Sequence, residues 1–298
     1  MLSELKKYGL VFLDKTFKEK TSFKVGGKIK YFVEVFDIQS LCLLINYLYR
    51  HKIPYFVLGN GTNLLVSDED FEIVVISLKN LNKLKIENNE IIIEAGAIGI
   101  KVAKKILEAG YKCPIPLSLI PGTIGGMIYM NAGAYGEEIK DTLIRIDYIT
   151  KEGVLKSLNS FEDFTYRNSY FRNNQGIIIR GYFKTTKESN QEHIIKLQNQ
   201  KKLTQPLNTK CAGSIFKNID NIKAWQIIKE LSLDKLKIND ACISDKHANV
   251  IINKNNANFN DLFLLINKIK EEVYQKKGII LELEIKILKP SDFIPFPL

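Results

Sequence analysis

The sequence predicts an α+β protein built as two or three compact units. Three observations lead there. The 298 residues exceed one typical domain. Strands with alternating apolar residues interleave with helices whose apolar residues recur every three or four positions. From about Ser189 to Leu203 the composition turns polar and helical, which marks a domain boundary. A hydrophobic content of 45% and a charged content of 26% are those of a soluble globular chain.

Taken in order, Thr21 to Val35 is a glycine turn followed by a strand with Ile29, Tyr31, Val33 and Val35 on one face. Asp37 can cap a helix whose apolar face is Leu41, Leu44, Ile45 and Leu48. A strand from Tyr55 to Leu58 runs directly into Gly59-Asn60-Gly61-Thr62-Asn63, and Leu64 to Val66 follows. Such a loop gathers backbone N–H groups in a nest that suits phosphate oxygens. Asn-Gly is also a common hairpin turn, and both readings stand at this point. Strands are expected over Ile73 to Leu78 and Ile91 to Glu94, with an Asn- and Lys-rich turn between. A helix from Ile98 to Ala109 is stopped by Gly110.

Cys113 to Gly136 organises the chain. It holds three of the eight prolines, is almost uncharged, and places Gly122, Gly125, Gly126, Gly133 and Gly136 among apolar residues. Glycine permits close backbone approach and proline fixes it, so this stretch reads as main chain wrapped against something large, flat and buried. A glycine-rich turn pair within a core is the plainer alternative. Strands follow near Leu143 to Thr150 and Gly176 to Lys184. In the last third come a helix from Ile222 to Leu231, a strand-like segment ending at Ser244 to Asn249, and a helix from Asp261 to Lys276. A final strand, Gly278 to Leu288, would put Glu282, Glu284 and Lys286 on one face.

The formal charge of +10 admits nucleic acid or anionic small molecules as partners. Lysines are scattered without a block. The chain has five arginines, of which Arg167 and Arg172 lie in the aromatic stretch Phe164 to Arg172, and Arg180, beside an apolar strand, reads as ordinary surface charge. Arginine offers a rigid fork for carboxylate or phosphate. Aromatics interleaved with arginine can also stack on bases. Ser214, in Ala-Gly-Ser, lacks a Gly-x-Ser-x-Gly frame, and the three histidines show no triad signature. It is therefore a structural hydroxyl or a proton donor. Four scattered cysteines and an N-terminus without a signal-like apolar run point to free thiols in the cytoplasm. No run approaches the ~18 apolar residues of a membrane span.

Eight segments in order carry a resemblance: Thr-Ser-Phe-Lys-Val-Gly-Gly (21–27), Leu-Gly-Asn-Gly-Thr-Asn-Leu-Leu (58–65), Ile-Pro-Gly-Thr-Ile-Gly-Gly (120–126), Met-Asn-Ala-Gly-Ala-Tyr-Gly (130–136), Tyr-Arg-Asn-Ser-Tyr-Phe (166–171), Ala-Gly-Ser-Ile-Phe-Lys-Asn (212–218), Lys-His-Ala-Asn (246–249) and Leu-Glu-Leu-Glu-Ile (281–285). Together they resemble the UDP-N-acetylenolpyruvoylglucosamine reductase (MurB) family. The resemblance implies an FAD-binding fold of the vanillyl-alcohol-oxidase (PCMH) type in two subdomains, residues 1–80 and 81–188, and a C-terminal α+β substrate domain, residues 189–298. It implies non-covalent FAD, NADPH as reductant and a UDP-sugar substrate, which also account for the positive charge. Gly59, Asn60, Gly61, Thr62 and Asn63 would hold the pyrophosphate. Ser118, Ile120, Pro121, Gly122, Gly125, Gly126, Asn131, Ala132 and Gly133 would surround the ring.

By the same resemblance Arg167, Ser214 and Glu284 match the catalytic positions: carboxylate recognition, proton donation and the enol end. Lys217, Asn218, Lys246 and His247 match substrate-side positions. The short connection between Phe171 and Ile177 resembles the subclass without an extra tyrosine loop. Lys210-Cys211, Ile219 and Asn239-Asp240 depart from the family pattern, all in the third domain. A monomer without nucleic-acid or membrane partners is expected. A related flavoprotein oxidase and a basic nucleic-acid-binding protein are the alternatives.

Overall fold

The computed structural model describes residues 1–173, 176–219 and 222–293. Asn174 and Gln175, on which the subclass expectation falls, lie outside the described residues. The chain forms two compact units. One comprises residues 1–13, 30–60 and 73–198; the other comprises 14–29, 61–72 and 199–298.

The first unit carries two sheets. One, drawn from residues 9–77, has the strand order Gly9–Phe12, Ile29–Val35, Phe71–Ser77, Tyr55–Leu58. The helix Ile38–Arg50 connects two of these strands. The Asp37 carboxylate accepts the Ser40 N–H at 2.7 Å, and Leu41, Leu44, Ile45 and Leu48 are fully buried, as the spacing predicts. Tyr55–Leu58 runs parallel to Phe71–Ser77. Leu64–Val66 instead pairs with Lys286–Leu288 in the second unit. Asn60-Gly61 is therefore not a hairpin turn, and that alternative is withdrawn.

The other sheet, drawn from residues 84–184, is antiparallel: Leu155–Leu158, Leu143–Thr150, Gly176–Lys184, Glu90–Glu94, Leu84–Glu87. Leu84–Glu87 is a strand where only a turn was expected. It turns at Asn88 and Asn89, both with positive φ, and its charged Lys85 and Glu87 obscure the alternation. The Cys113–Gly136 stretch is less loop-like than expected, holding the short helices Ile115–Leu119 and Ile124–Tyr129. The second of these helices lies on strand Gly176–Lys184, where a Cβ at Gly181 would come within 2.7 Å of Ile128 Cδ1.

Two rings of the aromatic segment belong to the core, and Tyr166 is exposed. Phe164 and Phe171 are buried, and Tyr148, Tyr170 and Phe171 stack edge to face at 5.2–6.0 Å. Arg180, expected as ordinary surface charge, is instead half-buried and pairs with the buried Asp147 at 3.4 Å and with Tyr182. Rings packed against each other do not form a platform for bases.

The second unit holds the antiparallel sheet Lys237–Ile238, Ala241–Ser244, His247–Asn253 and the helices Ala224–Glu230 and Phe259–Lys277. Its core includes Phe23, Leu65, Ile215, Phe216, Ile228, Leu262 and Ile266. A capping box of Asn258 and Asp261 starts the long helix, and Gly278 at φ +67° ends it. The final strand is shorter than expected. Only Lys286–Leu288 is regular, because residues 282–284 pair through isolated contacts with residues 215–217. Glu282 and Glu284 consequently differ: Glu282 is exposed and Glu284 half-buried.

Candidate active site

In the first unit, two glycine segments meet at Thr123. The Thr123 hydroxyl caps helix Ile124–Tyr129 by accepting the Gly126 N–H at 3.4 Å. A Cβ at Gly59 would lie 2.7 Å from that same oxygen. Gly125 donates its N–H to Ala95 O, and a Cβ there would stand 3.0 Å from Ala95 Cβ. Gly122 O accepts the Gly99 N–H. Gly59, Asn60, Pro121 and Gly126 are exposed, while Gly125 and Ile120 are half-buried. The result is bare main chain, closely backed. Thr123 was not among the expected residues, although a threonine before Ile-Gly-Gly is a legible cap signal.

Arg167 has φ +54°, an unusual conformation for a side chain of its size. Its guanidinium donates to Gly133 O at 3.0 Å and lies 4.8 Å over the Tyr166 ring. Arg172 supports it from below, donating to Arg167 O at 2.8 Å. Asn131 is fully buried at φ +41°. Its amide donates to Glu138 Oε2 and Thr165 O and accepts the Lys140 N–H. That side chain braces the segment carrying Arg167. Ala132 is buried, and the buried Ser118 hydroxyl donates to Ile115 O at 2.8 Å.

In the second unit, Gly61 (φ +62°) is held by Ser22, whose N–H donates to Gly61 O. A Cβ at Gly61 would fall 2.2 Å from Lys20 O, so only glycine fits. Thr62 is half-buried. Asn63 donates its amide to Glu284 O at 3.1 Å and accepts the Lys286 N–H. Glu284 N–H donates to Ile215 O at 2.8 Å, one residue past Ser214. Ser214 forms an isolated bridge with Val250 and caps no helix. Asn63, Ser214 and Glu284 are thus on adjoining segments.

The remaining substrate-side positions are more dispersed. Lys217 pairs with the exposed Glu282 at 3.1 Å, an arrangement worth little in stability. Asn218 Oδ1 accepts the Ala224 N–H at the start of a helix. Lys246 lies in the tight turn before strand His247–Asn253 and reaches Lys202 O. His247 Nδ1 accepts the Asn249 N–H at 3.2 Å, and burial holds its pKa below the ordinary value. The imidazole is therefore neutral near pH 7, with its proton on Nε2.

Comparison with known proteins identifies the two parts of the chain. A model described as FAD binding domain matches residues 29–159. One described as UDP-N-acetylenolpyruvoylglucosamine reductase, C-terminal domain, matches residues 205–288. The fold is that of an FAD-dependent oxidoreductase with an appended C-terminal domain. UDP-N-acetylenolpyruvoylglucosamine reductase of Carboxydothermus hydrogenoformans is 38% identical over 275 residues, 91% of each chain. That of Caldanaerobacter subterraneus subsp. tengcongensis is 38% identical over 295 residues, 96% of each. The solved MurB of Thermus caldophilus superposes with a TM-score of 0.79 at 28% identity, covering 94% of this chain and 99% of that one. The chain belongs to the UDP-N-acetylenolpyruvoylglucosamine reductase family.

The residues fit FAD. Along the strip formed by Gly59, Asn60 and residues 121–126, Gly59 and Gly125 leave no room for a side chain beneath, and main chain is exposed at Gly59, Asn60 and Gly126, as a flat ring and a diphosphate require. Cys113 is no candidate for covalent attachment. It is fully buried, and burial pushes its thiol up to about 12, so the reactive thiolate is absent.

Proposed function

We propose that this protein uses NADPH and non-covalently bound FAD to reduce the enolpyruvyl group of UDP-N-acetylglucosamine enolpyruvate, forming UDP-N-acetylmuramate for peptidoglycan precursors. Gly59 to Asn63 hold the diphosphate of FAD, and residues 118–133 border its ring. Bound there, FAD would supply the two-electron hydride chemistry that links NADPH to the terminal vinyl carbon of the substrate.

The protein must then serve the other end of the double bond. Negative charge develops on the carbon beside the carboxylate, and preorganised positive charge lowers that barrier. Arg167 supplies it, its guanidinium already fixed by Gly133 O and the Tyr166 ring. Ser214 donates the proton that completes this carbon, and Glu284 stands at the enol end. Lys217, Asn218, Lys246 and the Nε2–H of His247 serve the nucleotide-sugar. The supporting observation is the placement of Ser214 and Glu284 on segments joined by the Glu284 N–H to Ile215 O bond of 2.8 Å. That arrangement occurs in a chain 38% identical to proteins carrying this reductase's name.

A cytoplasmic monomer belongs with this reading. All four cysteines are free thiols, as a reducing compartment keeps them. The experiment is an anaerobic titration of the yellow protein. NADPH should bleach the flavin absorbance, and enolpyruvyl UDP-N-acetylglucosamine should restore it stoichiometrically. Bleaching by a sugar alcohol instead would favour an oxidase of the same fold and defeat the proposal.

A further inference from the structure

Asn249 ends the Lys-His-Ala-Asn segment and is 3% exposed. Its carboxamide makes both hydrogen bonds that a neighbouring strand would make to Phe216. Oδ1 accepts the Phe216 N–H at 3.0 Å, and Nδ2 donates to Phe216 O at 2.8 Å. Its own main-chain carbonyl accepts the Ile215 N–H at 2.9 Å. Three bonds from one residue therefore fix the two residues that follow Ser214.

The residue immediately before Ser214 is not enclosed. Gly213 is exposed at φ +75°, with nothing within 4 Å of where a Cβ would stand. Residues 214–216 form no regular ladder with strand His247–Asn253, only the isolated bridge of Ser214 with Val250. The Asn249 side chain replaces the ladder bonds that are missing. Its influence extends one step further, because Ile215 O accepts the Glu284 N–H. A buried amide that pairs both polar groups of one residue is a demanding device for a core, and here it lies beside the hydroxyl assigned to proton delivery.

We propose that Asn249 is a positioning residue for the proton-delivery step, acting through the backbone of Ile215 and Phe216 to hold the Ser214 hydroxyl at the reacting carbon. This rests on the reading of Ser214 as the proton donor. Misplacement of a reacting group by about 1 Å can slow a step by ~10²-fold, and loss of the clamp acts on that scale. Flavin reduction by NADPH needs no proton from Ser214 and is left alone.

The test is a double-mutant cycle read by rapid mixing with the FAD-loaded protein. Asn249→Ala should slow flavin reoxidation by the enolpyruvyl sugar by ~10²-fold, lowering kcat with KM nearly unchanged. Reduction by NADPH should stay near the wild-type rate. Added to Ser214→Ala, it should slow reoxidation little further, since a residue acting through another loses its effect when that other is gone. If the alanine variant does not accumulate, Asn249→Asp carries the same cycle. It keeps the size and the acceptor for the Phe216 N–H and removes the donor to Phe216 O. Equal slowing of both half-reactions, or a full additive loss in the Ser214→Ala background, overturns the positioning role while leaving the donor assignment intact. Near-normal reoxidation by Ser214→Ala alone overturns both.

Discussion

Gly126 separates what the fold needs from what the cofactor needs. It lies inside helix Ile124–Tyr129 and is exposed, and an added Cβ would meet only Thr123 Oγ1, at an ordinary 3.4 Å. Alanine is favoured over glycine in a helix by about 0.5–1 kcal/mol. In a chain of this size that should raise the unfolding midpoint of the FAD-free protein by about 1–2 °C. The same methyl would project from the bare strip assigned to the flavin. We expect Gly126→Ala to weaken FAD at least ~10-fold, equivalent to about 1.4 kcal/mol. Gly125→Ala is the contrast: its Cβ would press on Ala95 Cβ at 3.0 Å, and overpacking of this kind costs about 1–3 kcal/mol. Thermal unfolding of the FAD-free proteins, with FAD titrations followed by flavin fluorescence, measures both quantities. A raised midpoint with unchanged FAD affinity in Gly126→Ala would refute the assignment of this strip.

Three further outcomes are expected. Arg167→Lys keeps the charge but loses the fork that binds Gly133 O. A charged hydrogen bond contributes about 1.5–3 kcal/mol, so reoxidation by the enolpyruvyl sugar should slow by ~10–100-fold while NADPH oxidation persists. Acid precipitation should release all yellow colour into the supernatant, and colour left in the pellet would contradict non-covalent FAD. His247, held below 6.5 by burial, binds its proton more readily in the unfolded chain. Its contribution to stability is therefore full above pH 6.5 and is lost as pH falls through the folded-state pKa. His247→Gln should show a shallower decline in denaturation midpoint over that window.

Legibility followed the strength of local signals. The helix Ile38–Arg50 was legible because an aspartate cap and a four-residue apolar face agree. Leu84–Glu87 was hidden because a solvent-facing edge strand rich in charge resembles a turn. The two short helices within Cys113–Gly136 were hidden because glycine and proline are poor helix formers, and tertiary contacts decide there. The last strand breaks early because residues 282–284 pair with residues 215–217, a long-range pairing that no local alternation reveals. Of the site, the glycine loops and Ser214 were legible as unusual sequence. Asn131 and Asn249 were not recognisable as braces, because an asparagine's role depends on which main-chain groups the fold brings to it.

The central claim is that Ser214 delivers a proton to the substrate and does nothing for NADPH. Its most direct test is Ser214→Ala in anaerobic rapid mixing, with each half-reaction followed by flavin absorbance. Reduction by NADPH should proceed at close to the wild-type rate. Reoxidation by enolpyruvyl UDP-N-acetylglucosamine should slow by ~10²–10⁴-fold, the range of general acid catalysis, and Ser214→Cys should recover part of it. Near-normal reoxidation by the alanine variant would contradict the claim and leave Ser214 a structural hydroxyl.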